Sequence, residues 1–298
     1  MNGVLNLYKP TGISSFGAIR RVQKIFGEKK IGHLGTLDPM AEGVLPLFLG
    51  KATKLIPYLN QGDKSYEAEV TLGVTSPTLD REGELTACPI PDDLTEARIK
   101  EALMAFQGEI EQIPPMYSAI KKDGKKLYEL ARQGLEIERE PRKVTLHEIE
   151  LLEVKLPCLR FHVHCSKGTY IRTLADDLGK SLGTGAILSG LIRTSCQGGF
   201  PLSSAVRLDQ MENLDHTSLL QLLLEPTLLF PDWAQFEIHR EEDLAWLGQG
   251  RRIPLEAQAS GYQAGQKALL KGGKEILAMG HLEFSQADLF FQPKKVLI

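Results

Sequence analysis

One glycine-rich segment places a single carboxylate in apolar surroundings. Residues 32–46 have the sequence Gly-His-Leu-Gly-Thr-Leu-Asp-Pro-Met-Ala-Glu-Gly-Val-Leu-Pro, with Asp38 at the centre. The segment is too irregular for a long helix and too apolar for a solvated loop, so we expect its backbone to be buried. Burial without a compensating cation raises the pKa of a carboxyl group. Asp38 is therefore either a turn residue bonded to its own backbone or a reactive group that a cation from elsewhere in the chain keeps charged.

A second group of chemistry-bearing residues resembles a metal cluster. His162, His164 and Cys165 are close in sequence. In a strand, however, the two histidines share one face and the cysteine lies on the other. The pattern favours a solvent-side histidine pair, and we predict no metal site.

Apolar periodicity predicts the elements that would position Asp38. An apolar run over residues 3–8 predicts a strand, and residues 9–12, Lys-Pro-Thr-Gly, predict a turn. Ser14 or Ser15 can then cap a helix. Alternation from Tyr66 to Val74 predicts a half-buried strand with Tyr66 on its apolar side.

Three further elements are predicted in the middle of the chain. Thr95 can cap a helix that ends before Gly108. Alternation from Leu159 to Cys165 predicts a strand. Leucines four residues apart from Leu174 to Leu182 predict a helix that ends at Gly183.

A domain boundary is expected near residue 232, after a leucine-rich stretch interrupted by Pro226 and Pro231. Short apolar segments separated by turn glycines follow, which is typical of a small β-barrel or sandwich. We therefore predict two domains, 1–232 and 233–298, in the α+β class.

Composition suggests a cytoplasmic protein and hides a charge asymmetry. The N-terminus lacks the pattern of a signal peptide, and the four cysteines do not form a secreted disulfide scaffold.

The net charge of -3 over 298 residues gives no hint of a nucleic-acid partner. The charge is unevenly distributed, however, because residues 1–60 carry eight basic and three acidic side chains, and residues 118–143 carry eight and five. Such placement suits a groove for a polyanion.

Several motifs together carry a family resemblance. Residues 32–46, with Leu-Gly-Lys-Ala-Thr-Lys at 49–54, resemble the catalytic motif of the TruB family, the bacterial tRNA pseudouridine-55 synthases. The other stretches that resemble family motifs, in the family's order, are 6–12 (Asn-Leu-Tyr-Lys-Pro-Thr-Gly), 64–68 (Lys-Ser-Tyr-Glu-Ala), 114–121 (Pro-Pro-Met-Tyr-Ser-Ala-Ile-Lys), 165–175 (Cys-Ser-Lys-Gly-Thr-Tyr-Ile-Arg-Thr-Leu-Ala) and 188–194 (Leu-Ser-Gly-Leu-Ile-Arg-Thr).

The resemblance implies a fold and an activity. The fold would be that of a pseudouridine synthase, with a mixed, largely antiparallel central sheet, flanking helices and a small C-terminal PUA-like barrel. The reaction would break the N1–C1′ bond of uridine 55 in the T-arm of tRNA and rejoin the base through C5, without metal or cofactor. The partner would be the tRNA T-arm stem-loop, with no membrane and no obligatory protein partner, for a monomeric enzyme. A non-catalytic tRNA-binding or tRNA-folding protein, and a synthase for another stem-loop RNA, remain as alternatives.

The resemblance also implies roles for individual residues. Asp38 would be the essential aspartate, which either attacks C1′ or assists elimination. Arg172 would be its cationic partner, and Tyr66 would stack on the target base, although a plain core tyrosine would give the same pattern. The other residues implied to shape the pocket or contact RNA are Leu191, His33, Tyr170, Lys9 and Lys54. Residues 118–143 would be a mobile loop that clamps RNA through Lys121, Lys122, Lys125, Lys126 and Arg132.

One residue departs from the family motif. Glu42 stands where many members carry a small hydroxyl residue. It adds a negative charge four residues from Asp38, which bears on how RNA phosphates are accommodated there.

Overall fold

The computed structural model describes residues 2–59, 62–118, 120–122, 124–131, 133–197, 199–255, 261–286 and 288–298. In chain order, the strands are β1 (Gly3–Lys9), β2 (Ile31–His33), β3 (Glu42–Leu49), β4 (Lys64–Leu72), β5 (Val74–Thr75), β6 (Thr86–Ala87), β7 (Gly108–Gln112), β8 (Lys121–Lys122), β9 (Lys125–Lys126), β10 (Arg142–Lys155), β11 (Cys158–Cys165), β12 (Ala186–Cys196), β13 (Phe200–Pro201), β14 (Val206–Arg207), β15 (Ala234–Glu237), β16 (Ile253–Pro254), β17 (Lys267–Gly272), β18 (Glu275–Ser285) and β19 (Asp288–Val296). The α-helices are α1 (Ser15–Phe26), α2 (Ile56–Leu59), α3 (Glu96–Met104), α4 (Leu127–Ala131), α5 (Ile171–Ser181), α6 (Leu208–Met211), α7 (His216–Gln221) and α8 (Glu241–Gly248), and short 3-10 helices cover Gly50–Leu55, Leu202–Ser204 and Pro226–Leu229.

The larger sheet is mixed and mostly antiparallel. Its main path runs β14-β1-β3-β12-β4-β11-β10-β7, with β2 beside β3 and β13 beside β12. The pairs β1 with β14 and β3 with β12 are parallel, and the other pairs of this sheet are antiparallel. The predicted fold class is therefore confirmed.

Local sequence accounts well for the first helix. Ser14, rather than Ser15, caps α1, and its hydroxyl accepts a hydrogen bond from the backbone of Gly17. Gly27 ends the helix in the left-handed conformation, at φ 65°, which glycine adopts without steric cost. The buried face of α1 shares one apolar cluster with α3, α5 and the central strands.

The strand that carries Tyr66 begins and ends two residues earlier than predicted. Burial alternates along β4 as expected, but the strand ends at Leu72. Gly73 has φ 77°, so the chain turns there and Val74 belongs to a different two-stranded sheet with β6. The prediction of one strand from Tyr66 to Val74 was wrong at this end.

The last part of the chain forms a second sheet, ordered β15-β17-β18-β19-β16. Apolar side chains from it, including Leu269 and Met279, join Phe48 and Leu55 of the larger part in one buried cluster. The small β-structure predicted for this region is therefore present, together with one helix, α8. The boundary at residue 232 stays a prediction. Among the helices in the described ranges, none has the length and apolar character needed to cross a membrane.

Candidate active site

Five of the predicted site residues line one cavity of about 880 Å³. Asp38 comes from the loop between β2 and β3, and Tyr66 and Leu191 come from the adjacent strands β4 and β12. Tyr170 and Arg172 lie at the start of α5. Residues far apart in sequence thus meet where the strands β4 and β12 face the N-terminal end of a helix.

Arg172 forms an ion pair with Asp38. Its Nε lies 2.9 Å from the Asp38 carboxylate, and only 6% of the arginine side chain is exposed, against 37% for the aspartate. The other guanidinium nitrogens donate to the carbonyls of Thr78, at 3.0 Å, and Tyr117, at 2.9 Å. The carboxylate of Asp80 is 3.5 Å away. The guanidinium is fixed from four directions, so it presents one edge to Asp38.

The electrostatic balance at Asp38 has opposing contributions. Burial raises the pKa of Asp38 above the ordinary value for an aspartate, and the negative charge of Asp80 adds to this rise. The positive charges of Arg172 and Lys9 oppose it. Arg172 therefore offsets the desolvation of Asp38 only in part.

Asp80 is a buried acid that sequence reasoning missed. Its side chain is 4% exposed, and it accepts hydrogen bonds from the Thr78 hydroxyl at 2.6 Å and the Glu82 backbone at 3.0 Å. In sequence it resembles an ordinary turn aspartate, because its bond to Arg172 joins residues 92 positions apart. No local pattern could have identified it.

Residues from the end of β1 to the start of α1 hold the backbone around Asp38 by hydrogen bonds. The Ser15 hydroxyl bonds both the carbonyl and the amide of Leu37, each at 2.9 Å. The amide of Gly12 donates to the carbonyl of Pro39 at 2.9 Å, and the ammonium of Lys9 reaches the same carbonyl at 3.3 Å. Lys9 is fully buried, and this burial lowers its pKa to about 8. Lys9 therefore supports the loop that carries Asp38 from the buried side, through its hydrogen bond to the carbonyl of Pro39.

Arg193 lies in the floor of the cavity beside Tyr66. It is fully buried, and its guanidinium donates to the carbonyls of Val44 at 2.6 Å and Gly35 at 3.1 Å. Its remaining terminal nitrogen, Nη1, has no hydrogen-bond partner among the described residues. Burial raises the pKa of the Tyr66 hydroxyl, and the neighbouring Arg193 guanidinium offsets part of that rise. The motif at 188–194 contained Arg193, but its spacing gave no sign of this partnership.

His33 and Lys54, like Lys9, are not among the residues that line this cavity. His33 is half-buried on β2, and burial lowers the pKa of its ring, which favours the neutral form. The ammonium of Lys54 points to the second sheet, where it donates to the carbonyl of Val296 at 3.4 Å. The structure therefore does not bring Lys54 to the cavity.

The predicted clamp begins at the cavity wall. Tyr117 and Ser118 line the cavity, and the chain then forms the hairpin of β8 and β9. Lys121, Lys122, Lys125 and Lys126 form these two strands, and Lys125 is exposed. Arg132 lies outside the described residues.

Glu42 is engaged within the protein. Its carboxylate accepts a hydrogen bond from the Tyr8 hydroxyl at 2.7 Å, and the guanidinium of Arg207 lies 4.1 Å from the centre of the Tyr8 ring. The extra charge noted in the sequence is therefore tied to β1 by this hydrogen bond.

The arrangement suits attack or charge stabilisation at a sugar carbon. It combines a carboxylate held by a guanidinium, an aromatic ring, an apolar wall and a rim of cations that includes Lys64, Arg142 and Lys143. In the part of the chain that the structure describes, no three His, Cys, Asp or Glu residues are arranged to hold a metal ion. His162 and His164 are half-buried on one face of β11, and Cys165 is buried on the other.

Comparisons with known proteins agree with this geometry. The family model described as "TruB family pseudouridylate synthase (N terminal domain)" matches residues 23–171. A tRNA pseudouridine synthase B from Clostridium acetobutylicum is 49% identical over 217 residues, covering 73% of this chain and 74% of that protein. One from Nitrosococcus oceani is 43% identical over 288 residues, covering 95% and 91%. A chain in a solved Cbf5-Nop10-Gar1 complex has a TM-score of 0.68 and 26% identity, covering 99% of this chain and 85% of that chain. The chain therefore belongs to the TruB family of pseudouridylate synthases.

Proposed function

We propose that the chain converts uridine 55 in the T-arm of tRNA to pseudouridine. The observation that carries this proposal is the contact of 2.9 Å between Asp38 and a buried guanidinium in a cavity that also holds Tyr66 and Leu191. The names of the relatives, tRNA pseudouridine synthase B, agree with a tRNA substrate.

The reaction requires one bond to break and another to form. The N1–C1′ bond breaks, the freed base turns, and C5 bonds to C1′, after which C5 loses its proton and N1 gains one. Asp38 acts at C1′, either as nucleophile or by assisting elimination, and in both cases it must be ionised. Arg172 supports the ionised form and fixes the carboxylate in place.

The remaining cavity residues would bind the target nucleotide. The nucleotide must leave the loop of the tRNA, at a cost of a few kcal/mol of lost stacking. Tyr66 offers a ring on which the extruded base can stack, and Leu191 closes the apolar side. Tyr170 shapes the wall next to Arg172. His33 contacts RNA, and Lys9 and Lys54 act as supports rather than as contacts to the base.

The larger organisation is part of the same proposal. Residues 1–232 would form the catalytic domain and residues 233–298 a PUA-like RNA-binding domain. Lys121, Lys122, Lys125, Lys126 and Arg132 would clamp the RNA backbone. The enzyme would act alone, as a monomer in the cytoplasm, without cofactor or metal.

Tritium release tests the activity directly. A tRNA transcript that carries [5-³H]uridine should release tritium to water with the purified protein and without added metal. Replacement of uridine 55 by cytidine should abolish that part of the release, and Asp38→Asn should reduce turnover below about one percent of wild type while tRNA still binds. Binding without any tritium release would support a non-catalytic tRNA-binding protein. Release from another stem-loop RNA alone would reject the assigned target.

A further inference from the structure

The exposed side of α1 carries positively charged residues that do not line the cavity. Arg20, Arg21 and Lys24 are exposed on the helix, and Lys29 and Lys30 follow it. Residues 14–30 contain these five cations and one acid, Glu28, so the segment has a net charge of +4. This segment holds most of the basic side chains in residues 1–60.

An exposed aromatic side chain accompanies these cations. Phe16 is 59% exposed, and the guanidinium of Arg20 lies 4.7 Å from the centre of its ring. Phe16, Arg20 and Lys24 are spaced four residues apart, so they lie on one side of the helix. An arginine over an aromatic ring offers a cation for phosphate and a flat face for an unpaired base.

The start of α1 is hydrogen-bonded to the segment that carries Asp38. Thr36 and Pro39, which lie on either side of Asp38 in the sequence, are exposed and line the cavity. Ser15, the residue before Phe16, bonds the backbone of Leu37. A chain that enters the cavity over this edge therefore meets the start of α1.

We propose that the α1 face, consisting of Phe16, Arg20, Arg21 and Lys24, binds the tRNA backbone beside the target nucleotide. The twelve residues of α1 correspond to about 18 Å, which is long enough to follow several nucleotides. Phe16 stacks on an unpaired base at the end nearest to Asp38. This inference rests on the proposed function only for the identity of the RNA, and it adds a contact surface outside the cavity, the clamp and the C-terminal sheet.

Charge complementarity favours RNA over a protein partner for this face. In the described chain, none of Arg20, Arg21 and Lys24 has a carboxylate within ion-pair distance, so the cations are available to phosphates. The central parts of protein–protein interfaces are depleted in charged side chains, whereas phosphate contacts use clustered lysine and arginine.

The salt dependence of tRNA binding tests the proposal in the full-length protein. The variant with Arg20→Gln and Lys24→Gln should bind the transcript about tenfold more weakly at moderate salt, and its slope of log Kd against log salt should fall by about two. The matched control removes the same charge elsewhere, by Lys100→Gln on α3 and Lys155→Gln at the end of β10, both exposed. Its slope should stay within about half a unit of wild type.

A second variant separates stacking from charge. Phe16→Ala should weaken binding by about five- to tenfold and leave the slope unchanged, because base stacking carries no counterion release. An unchanged slope in the Arg20 and Lys24 variant, or an equal loss in the control, would overturn the proposal. Tritium release by the wild-type protein is measured on the same transcript. If the wild-type protein shows no release, that result rejects the proposed function, while the binding slopes still decide the role of the α1 face.

Discussion

Replacing Arg172 by lysine isolates the geometry of its guanidinium from its charge. Arginine contacts Asp38, the carbonyls of Thr78 and Tyr117, and the buried carboxylate of Asp80 at the same time. An ammonium group is a compact point charge on a flexible chain, so it cannot make all four contacts of the planar guanidinium at once. Methionine would be a less informative choice, because it leaves Asp80 as a buried, unpaired charge at a cost of about 3–5 kcal/mol.

The expected loss follows from one charge-assisted hydrogen bond. The bond between Arg172 and Asp38 is 2.9 Å long, with 6% of the arginine and 37% of the aspartate side chain exposed, so solvent screens it only in part. Losing such a bond costs about 1.5–3 kcal/mol, which corresponds to a fall in kcat of roughly 10- to 150-fold. Weaker support of the ionised form also raises the pKa of Asp38 further, so the acidic limb of the kcat profile should move to higher pH.

Steady-state tritium release, measured from pH 5 to 9 with saturating tRNA, gives both quantities. The control is Arg98→Lys, because Arg98 pairs with Asp93 at 3.1 Å on the surface, with 42% and 80% of the two side chains exposed. Such an exposed pair contributes little, so this variant should keep kcat within about twofold. A folded Arg172→Lys variant with kcat within threefold of wild type and an unmoved acidic limb would refute the role given to the guanidinium.

Two other perturbations test the groups around this pair. Asp80→Asn removes a charge that raises the pKa of Asp38, so the acidic limb of kcat should move to lower pH, opposite to the Arg172 variant; a shift to higher pH would contradict the assigned balance. Lys9→Met removes the donor to the carbonyls of Pro10 and Ile13 and should lower the free energy of unfolding by about 2–6 kcal/mol, since each carbonyl left without its donor costs about 1–3 kcal/mol, whereas the carbonyl of Pro39 keeps its hydrogen bond from the amide of Gly12. The pKa of Lys9 is about 8 when folded and 10.5 when unfolded, so the unfolded state binds more protons between these values. The wild-type advantage in melting temperature over Lys9→Met should therefore increase from pH 7 to 10, and a constant difference in thermal melts would show that Lys9 does not titrate there.

Local patterns predicted most of the framework of this fold. One of the two serines predicted as a cap, Ser14, begins α1, and alternation placed Tyr66 on the buried side of β4. The partners Asp80 and Arg193 could not be found this way, because their contacts cross between distant segments and depend on sheet order. For Lys54 the sequence misled in the opposite way. Its place in a family motif implied a role at the pocket, but its side chain donates to the carbonyl of Val296 in β19.

The segment that carries Asp38 is attached on three sides, by Ser15 and Lys9 from the N-terminal elements and by Arg193 from β12. A scaffold held in this way has little freedom to adapt when a substrate arrives. The conformational change that brings the target uridine to Asp38 is therefore expected in the nucleic acid rather than in the segment that carries Asp38. Among RNAs with the same target sequence, those whose loop already samples an open form are expected to react fastest, which makes RNA flexibility part of what the protein selects.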